Sequence, residues 1–270
     1  MYFKKTRCKE CNSIHDEMVD YCPFCGARNE ENIEFRKRFP MTFIPWYLEL
    51  TLALFGLFGF QFVSLLFSFV FYNAYTQDAV RGLMLINVAS YLVFFILCLS
   101  LLYRYVLSLV DKFKIKMAYL YGLIGFFALM AFSISYGIVI QVLRPGTGEG
   151  SNQSAVIELV KNYPVIAIFV IGIIGPICEE VAYRIGLFTL LRRVHPALAY
   201  VGTGVIFGLI HFDFFSSDLI TELLYLPNYI FAGLCFSFLY ERKGFMASTF
   251  AHILNNLASI TMILLPFTVL

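Results

Sequence analysis

Three apolar segments in the C-terminal half carry side chains that could do chemistry. They contain the motifs EEVAYR, FGLIH and HILNN, and the residues concerned are Glu179, Glu180, Arg184, His211, His252 and Asn256. An ionisable residue inside an apolar segment is costly unless it is paired or functional. These six side chains are therefore the candidate catalytic residues.

The spacing within the motifs predicts different roles for the two carboxylates. Glu180 and Arg184 are four residues apart, so they share one face of a helix and can form an ion pair. Glu179 points about 100° away and has no partner on its own helix. An unpaired carboxylate of this kind can act as a general base or acid. His252 and Asn256 are also four residues apart and project side by side.

The three motifs are predicted to lie at similar depth. Counted from the basic end of each segment at ~1.5 Å per residue, Glu179, His211 and Asn256 each lie roughly 20 Å in. A structural polar network that holds helices together is the alternative interpretation. Convergence of three helices at one depth favours a single site.

Four of the seven cysteines lie near the N-terminus, as the pairs Cys8–Cys11 and Cys22–Cys25 in CKEC and CPFC. Two such CxxC hooks complete the tetrahedral shell of a structural zinc ion. A disulfide pair, which a reducing cytosol disfavours, and a redox CxxC are the alternatives. Because four thiolates fill the shell, His15 is interpreted as a surface residue. The segment resembles the zinc ribbons found at the N-termini of many bacterial membrane proteins.

The composition indicates a membrane protein. Of 270 residues, 60% are apolar and 14% are charged, whereas soluble domains carry about a quarter charged residues. The net charge of +2 gives no indication of nucleic-acid binding. The N-terminus has no apolar signal-peptide core, so we expect it to be retained and cytosolic. The prediction is an all-α polytopic protein with about seven transmembrane helices, preceded by a small four-cysteine domain.

The predicted spans approximate the roughly 20 residues needed to cross a bilayer. They are Tyr47–Phe71, Gly82–Leu102, Met117–Leu143, Tyr163–Leu191, Ala197–Phe215, Leu223–Leu239 and Phe245–Leu265. The predicted domains are a cytosolic zinc ribbon over 1–30, a linker over 31–46, N-terminal transmembrane helices over 47–143 and a catalytic membrane core over 163–265. Residues Gly146–Ser154 are predicted to form a flexible external loop.

The order EExxxR, FxxxH and HxxxN on three helices resembles the CPBP family of intramembrane proteases, the CAAX-protease and bacteriocin-processing group. The resemblance covers about Tyr163 to Leu265. It implies an endopeptidase in which Glu179 and His211 activate water, while Glu180 and Arg184 complete or support the carboxylate pair. It further implies that His252 and Asn256 stabilise the oxyanion.

The resemblance leaves several points open. The substrate would be a membrane-associated peptide or protein segment, and relatives cleave prenylated CAAX proteins. A catalytic metal is an open question, since two His and two Glu could bind zinc, although no HExxH is present. A non-catalytic member that acts as a membrane chaperone or regulator, in bacteriocin immunity or secretion, is the first alternative. A transporter that relays protons through Glu and His is the second.

Basic residues alternate between loops and predict the orientation of the chain in the bacterial plasma membrane. They are Arg36, Lys37 and Arg38 before the first span, then Arg104, Lys112, Lys114, Lys116, Arg192, Arg193, Arg242 and Lys243. Reporter fusions near Lys114 and Lys243 should report the cytosol, whereas fusions near Gly148 and Asp218 should report the outside. A cytosolic signal from the Gly148 fusion would contradict this orientation.

Overall fold

The computed structural model describes residues 4–29 and 38–265. Within these residues, six helices are long and apolar enough to cross a membrane. A small domain with two short strands precedes them. The all-α membrane architecture with an N-terminal four-cysteine domain is therefore confirmed.

The N-terminal domain is a ribbon built on two tight turns. Strands β1 (Lys5–Arg7) and β2 (Ile14–Asp16) pair antiparallel, with Thr6 opposite His15. Asn12 and Gly26, which follow the two CxxC hooks, have φ of 59° and 76°. These left-handed values are the ones that Gly and Asn tolerate best.

The interpretation of His15 as a surface residue is wrong. The side chain is 5% exposed, and its Nδ1 donates to the backbone oxygen of Asp16 at 2.9 Å. His15 lies among other ribbon residues, including Cys8, Cys22 and Asn29, while the next residue of β2, Asp16, contacts one of the membrane helices.

Between residues 46 and 265 the structure has ten helices, named α1 to α10 in chain order. They are α1 (Trp46–Val70), α2 (Tyr72–Gln77), α3 (Ala79–Leu102), α4 (Val106–Lys112), α5 (Lys116–Leu143), α6 (Ser151–Asn162), α7 (Pro164–Val194), α8 (Pro196–Leu209), α9 (Leu219–Lys243) and α10 (Phe245–Leu264). Helix α1 contains a π-helical segment at Phe55–Gly59, and α7 contains two, at Val170–Ile174 and Val181–Phe188.

The predicted fifth span is shorter than expected. Helix α8 has 14 residues, about 21 Å, whereas the hydrocarbon core is ~30 Å thick. Side-chain hydrogen bonds compete with the helix at its end: His211 Nδ1 donates to the backbone oxygen of Phe207, and Asp213 accepts from the backbone of Phe215. The helix therefore stops at Leu209, and His211 lies just beyond it.

The ends of the helices still alternate as the charge pattern predicts. On the ribbon side, Lys112 lies 3.9 Å from Asp20. At the opposite end, Arg144 lies 3.8 Å from Asp218. The loop after α5 and the loop after α8 thus share the end remote from the ribbon. Which compartment each end faces stays a prediction.

The predicted flexible loop Gly146–Ser154 is wrong in its second half, because helix α6 begins at Ser151. The carboxylate of Glu222 on α9 accepts from the backbone nitrogen of Ser151 at 2.7 Å. This cap comes from a residue far along the chain, so the local sequence does not reveal it. Leu159 and Val160 are buried, and α6 packs against α3 and α10.

A buried ion cluster joins the ribbon to the membrane helices. Arg193 is fully buried, and its guanidinium contacts Asp16 of the ribbon at 2.6 Å and Glu49 of α1 at 2.6 and 2.8 Å. Gly186 allows α7 to approach α1 at this level, since a Cβ there would lie 2.9 Å from the backbone nitrogen of Ala53. The pattern of basic loops predicts that Arg193 lies in a loop and sets the orientation of the chain in the membrane. In the structure it lies in the last turn of α7 and belongs to the buried ion cluster.

The predicted linker 31–46 is only partly described, and residues 30–37, which include Arg36 and Lys37, lie outside the described residues. The described part is packed rather than exposed. Met41, Phe43 and Ile44 are buried in the main hydrophobic core. The backbone of Thr42 donates to the hydroxyl of Tyr240 at 3.0 Å and accepts from it at 2.9 Å. The chain before α1 is therefore part of the helical core.

The ion cluster predicts that ribbon and core stabilise each other. Asp16→Ala should lower the unfolding free energy by up to about 3–5 kcal/mol, because it leaves a buried guanidinium short of one carboxylate. Glu49 still compensates Arg193, so the loss should lie toward the lower figure. Thermal unfolding of the purified protein would measure it, with Glu10→Gln, an exposed change on the same ribbon, as the control. Equal stabilities of Asp16→Ala and wild type would contradict the cluster.

Candidate active site

A cavity of about 490 Å³ lies among the helices at the level of the three motifs. Four of the six predicted residues line it: Glu179, His211, His252 and Asn256. Glu180 and Arg184 lie behind its wall and are fully buried. The structure thus brings all six together in two layers, with Glu179 as the carboxylate that faces the open space.

Glu179 is held by one oxygen and open at the other. The Tyr91 hydroxyl on α3 donates to Oε1 at 3.2 Å. Oε2 is buried, has no hydrogen-bond partner among the described residues, and lies 3.8 Å from Nε2 of His252. A carboxylate oxygen that lies beside a cavity without a hydrogen-bond partner has free capacity to accept a proton from water.

Glu180 is the anchor of the second layer. The Nε of Arg184 donates to it at 3.2 Å, which is the predicted ion pair on one face of α7. The Ser248 hydroxyl donates to the same oxygen, Oε2. Its other oxygen lies 3.1 Å from Nδ1 of His252. Glu180 therefore has three separate donors, and two of them, Ser248 and His252, join α7 to α10.

These contacts fix the orientation of His252. Since an ionised Glu180 can only accept, Nδ1 of His252 donates to it and Nε2 is directed toward Glu179. The imidazole stacks on Phe236, with ring centroids 4.4 Å apart. Packing and hydrogen bonding together place this imidazole between the two carboxylates.

His211 reaches the cavity from the turn after α8. Its Nδ1 donates to the backbone oxygen of Phe207 at 2.8 Å. The ring stacks on Tyr229, with centroids 4.7 Å apart and planes 14° from parallel. With Nδ1 occupied, the Nε2 of a neutral His211 ring carries the lone pair that could accept a proton.

Asn256 and Arg184 occupy supporting positions. The amide of Asn256 donates to the backbone oxygen of Ile171 at 3.0 Å, which uses one of its two N–H groups. The guanidinium of Arg184 lies 5.0 Å from the ring centre of Phe207 and 5.6 Å from that of Phe236. Arg184 is thus covered by aromatic rings and does not reach the cavity.

The sequence motifs did not reveal three functional contacts. Tyr91 holds Glu179, Ser248 holds Glu180, and Tyr229 stacks on His211. Ser248 lies one helical turn before His252, so helical spacing could have indicated it. Tyr91 and Tyr229 lie in other helices, where nothing local distinguishes them from ordinary apolar-span tyrosines.

The four ribbon thiols fit a metal ion. Cys8, Cys11, Cys22 and Cys25 have sulfur atoms that all lie within 4.8 Å of one another, and Cys8–Cys25 and Cys11–Cys22 are 3.6 and 3.7 Å apart. A tetrahedral site with bonds of 2.3 Å requires sulfur atoms about 3.8 Å apart. Burial raises the pKa of the Cys22 thiol, but hydrogen bonds from Ser13 and nearby backbone outweigh it and lower the pKa to about 6.

The ionisable side chains that line the cavity converge less closely than these four thiols. Among the described residues, the ribbon cysteines are the one group of three or more His, Cys, Asp or Glu side chains that converges tightly enough to hold a metal. Glu179, His211 and His252 do not meet that geometry. We therefore derive the chemistry of the cavity from the side chains alone.

Comparison with known proteins agrees with this arrangement. Residues 161–258, which contain all six motif residues, match the family model "Type II CAAX prenyl endopeptidase Rce1-like". This segment is similar to that family, and we refer to residues 161–258 as the Rce1-like domain. The Rce1-like domain covers α7, α8, α9 and most of α10, whereas Tyr91 and all but the last two residues of α6 lie outside it.

Relatives extend the similarity beyond the Rce1-like domain. The chain is 29% identical over 229 residues to a Bacillus subtilis (strain 168) protein named "Putative membrane peptidase YdiL", covering 82% of this chain and 89% of that protein. It is also 29% identical over 149 residues to an uncharacterized protein of Mycoplasma capricolum, covering 51% of this chain and 42% of that protein. No solved structure matches the chain.

The position of Tyr91 predicts that it orients the carboxylate of the Rce1-like domain. Tyr91→Phe should lower kcat roughly tenfold or more with little change in KM, because a hydrogen bond to a charged group is lost. Gly175→Ala should act similarly, since its Cβ would lie 3.3 Å from the Tyr91 ring. Steady-state kinetics on a cleaved membrane substrate would measure both.

The matched control is Tyr75→Phe, which removes an exposed hydroxyl near the far end of α1 and α3. A Tyr91→Phe variant with wild-type kcat, or one that loses only stability, would show that Tyr91 merely packs.

Proposed function

We propose that this integral membrane protein is an intramembrane endopeptidase that hydrolyses peptide bonds with a water activated by glutamate and histidine. The observation that carries the proposal is the state of Glu179. One oxygen is held by Tyr91, while the other is buried, unpartnered and directed toward His252 beside a cavity. An Rce1-like domain and a relative named as a membrane peptidase support protease activity.

The proposed first step is attack by water on the substrate carbonyl carbon. Glu179 accepts the water proton as the carbon–oxygen bond forms, and His211 orients the water through Nε2. The proton is later delivered to the leaving amine as the carbon–nitrogen bond breaks. Water and substrate thus supply all atoms of the two products, and the Glu179 carboxylate returns to its ionised form.

The negative charge that develops on the carbonyl oxygen needs donors. Asn256 has a second N–H beyond the one bound to Ile171, and the Nε2 of His252 becomes a further donor when the ring is protonated between Glu179 and Glu180. Donors placed in advance at such an oxygen contribute several kcal/mol to catalysis. Glu180 and Arg184 act indirectly in this scheme, because they hold His252 in place.

The substrate is proposed to be a membrane-embedded or membrane-associated peptide or protein segment. Helices with apolar outer faces surround the cavity, so lipid is the surrounding medium. The two bacterial relatives and the alternating basic loops support location in a bacterial plasma membrane with the N-terminus in the cytosol.

The ribbon is proposed to bind one structural Zn²⁺ through Cys8, Cys11, Cys22 and Cys25. Thiolate sulfur at tetrahedral spacing is the ligand set that structural zinc prefers. With four sulfur ligands no position is left open for chemistry. Residues 1–30 as ribbon, 47–143 as N-terminal helices and 163–265 as catalytic core remain our proposed domains.

Glu179→Gln tests the proposal. It keeps size and hydrogen bonding but removes the base, so the rate should fall by about 10²–10⁴-fold while the protein stays folded. Asn256→Ala should be milder, near the roughly 10²–10³-fold of one lost oxyanion donor. The measurement is quantitative proteomics of membranes from cells that express wild type or variant, which seeks uncleaved proteins that accumulate.

The control is Glu158→Gln, which removes an exposed carboxylate on α6. It should leave cleavage unchanged. If Glu179→Gln retains wild-type cleavage of a verified substrate, the mechanism is wrong. A non-catalytic regulator would instead keep its phenotype after loss of every motif residue.

A further inference from the structure

Three arginines surround one phenylalanine at the end of the helical bundle that carries the ribbon. The guanidinium carbons of Arg38, Arg192 and Arg242 lie 5.3, 5.1 and 5.2 Å from the ring centre of Phe39. They come from three parts of the chain, namely the segment before α1, the last turn of α7 and the last turn of α9. Any two of these guanidiniums are therefore separated by no more than roughly twice the distance to the shared ring.

The positive charge of this cluster exceeds its compensation. Within the described ranges, the carboxylate of Glu241 is the one acidic group that contacts these arginines. Arg192 and the hydroxyl of Tyr200 donate to it, and Arg242 lies 3.6 Å from it. Arg38 has no ion pair with any described residue. The C-terminal ends of α7 and α9 offset about half a charge each, which leaves an excess of roughly one positive charge.

Two of the three arginines are open to a ligand. Arg38 is exposed, and the side chain of Arg242 is 43% exposed, whereas Arg192 is nearly buried. A guanidinium presents N–H groups in a planar fork that matches the oxygen atoms of a phosphate. The cluster therefore combines excess charge with donors of the geometry that a phosphate group requires.

Exposed apolar side chains lie next to the cluster. Phe238 lies one turn before Arg242 on the same face of α9 and is 53% exposed. Val194 and Leu198, which follow Arg192 at the junction of α7 and α8, are exposed as well. Because the spans α7 and α9 both end at the cluster, the arginines lie at the level expected for lipid headgroups and Phe238 lies toward the hydrocarbon.

We propose that Arg38, Arg192 and Arg242 bind the phosphate of an anionic phospholipid. One of its acyl chains lies along Phe238 on α9. A lipid fits the site better than a soluble phosphate does, because the cations stand at the ends of two spans beside exposed apolar surface. The headgroup then connects the segment before α1 to the ends of α7 and α9. Lipid composition thereby acts on the helix that carries the cavity carboxylates.

The test measures binding of the first phospholipid to the full-length protein in a nonionic detergent. Native mass spectrometry titrates phosphatidylglycerol against wild type and against the double variant Arg38→Gln/Arg242→Gln. This variant removes the two exposed cations and leaves the buried contact of Arg192 with Glu241 in place. The matched control is Arg7→Gln/Lys116→Gln, which removes two exposed cations elsewhere at the same end of the molecule. Phosphatidylcholine with the same acyl chains and inorganic phosphate are the comparison ligands.

We expect the dissociation constant of the first phosphatidylglycerol to rise roughly tenfold or more in Arg38→Gln/Arg242→Gln, because each interfacial arginine attracts an anionic headgroup. The control should change it by less than about twofold. Phosphatidylglycerol should also raise the midpoint of thermal unfolding of wild type more than phosphatidylcholine or inorganic phosphate does. Most of that increase should be lost in Arg38→Gln/Arg242→Gln.

Four results would overturn the site. Equal dissociation constants for wild type and Arg38→Gln/Arg242→Gln would show that these arginines do not bind the headgroup. An equal loss in the control would show attraction to the whole basic end, and equal binding of phosphatidylcholine would show that net charge is not recognised. If inorganic phosphate raised the unfolding midpoint as much as phosphatidylglycerol, the ligand would be a soluble anion rather than a lipid. The proposed peptidase function depends on none of these results.

Discussion

The arrangement of the site depends on one fully buried carboxylate, that of Glu180. It accepts from Arg184 on its own helix and from Ser248 and His252 on α10. A buried charge is tolerated only when its hydrogen-bonding capacity is satisfied, so removing a donor is costly. The same contacts fix the imidazole of His252, which then faces Glu179. The Glu180 carboxylate therefore both holds α7 against α10 and sets the orientation of His252.

Glu179, unlike Glu180, has a carboxylate oxygen without a hydrogen-bond partner, and this difference follows from the positions of the two residues on α7. The neighbouring residues of one helix point about 100° apart, so one carboxylate faces the packed layer and the other the cavity. Tyr91 and the close approach allowed by Gly175 hold one oxygen of Glu179, while the other stays unpartnered. An interior polar atom without a partner is rare and needs a reason. Acceptance of a proton from water, as proposed for Oε2 of Glu179, would supply one.

The sequence predicted the parts of this structure that depend on local spacing and missed those that depend on distant partners. The Glu180–Arg184 pair follows from a spacing of four, and the convergence of the ribbon cysteines follows from the two CxxC hooks. Helix α6 was missed because its cap comes from Glu222 on α9. The end of α8 was misplaced because His211 bonds back to its own helix, which hydropathy does not register.

Local spacing also failed to reveal the contacts between the ribbon and the membrane helices. Spacing predicted four converging cysteines, yet it treated the ribbon as a separate unit beside basic loops. Glu49 inside an apolar helix was a signal, since a carboxylate there needs a cation, and its partner is Arg193. Asp16 of the ribbon forms a second ion pair with Arg193, so the folded ribbon supplies a carboxylate to the guanidinium at the C-terminal end of α7. Because α7 also carries Glu179 and Glu180, the ribbon is attached to the C-terminal end of the helix whose middle part holds the cavity carboxylates. Metal bound to the ribbon would therefore stabilise the same helix that positions the carboxylates.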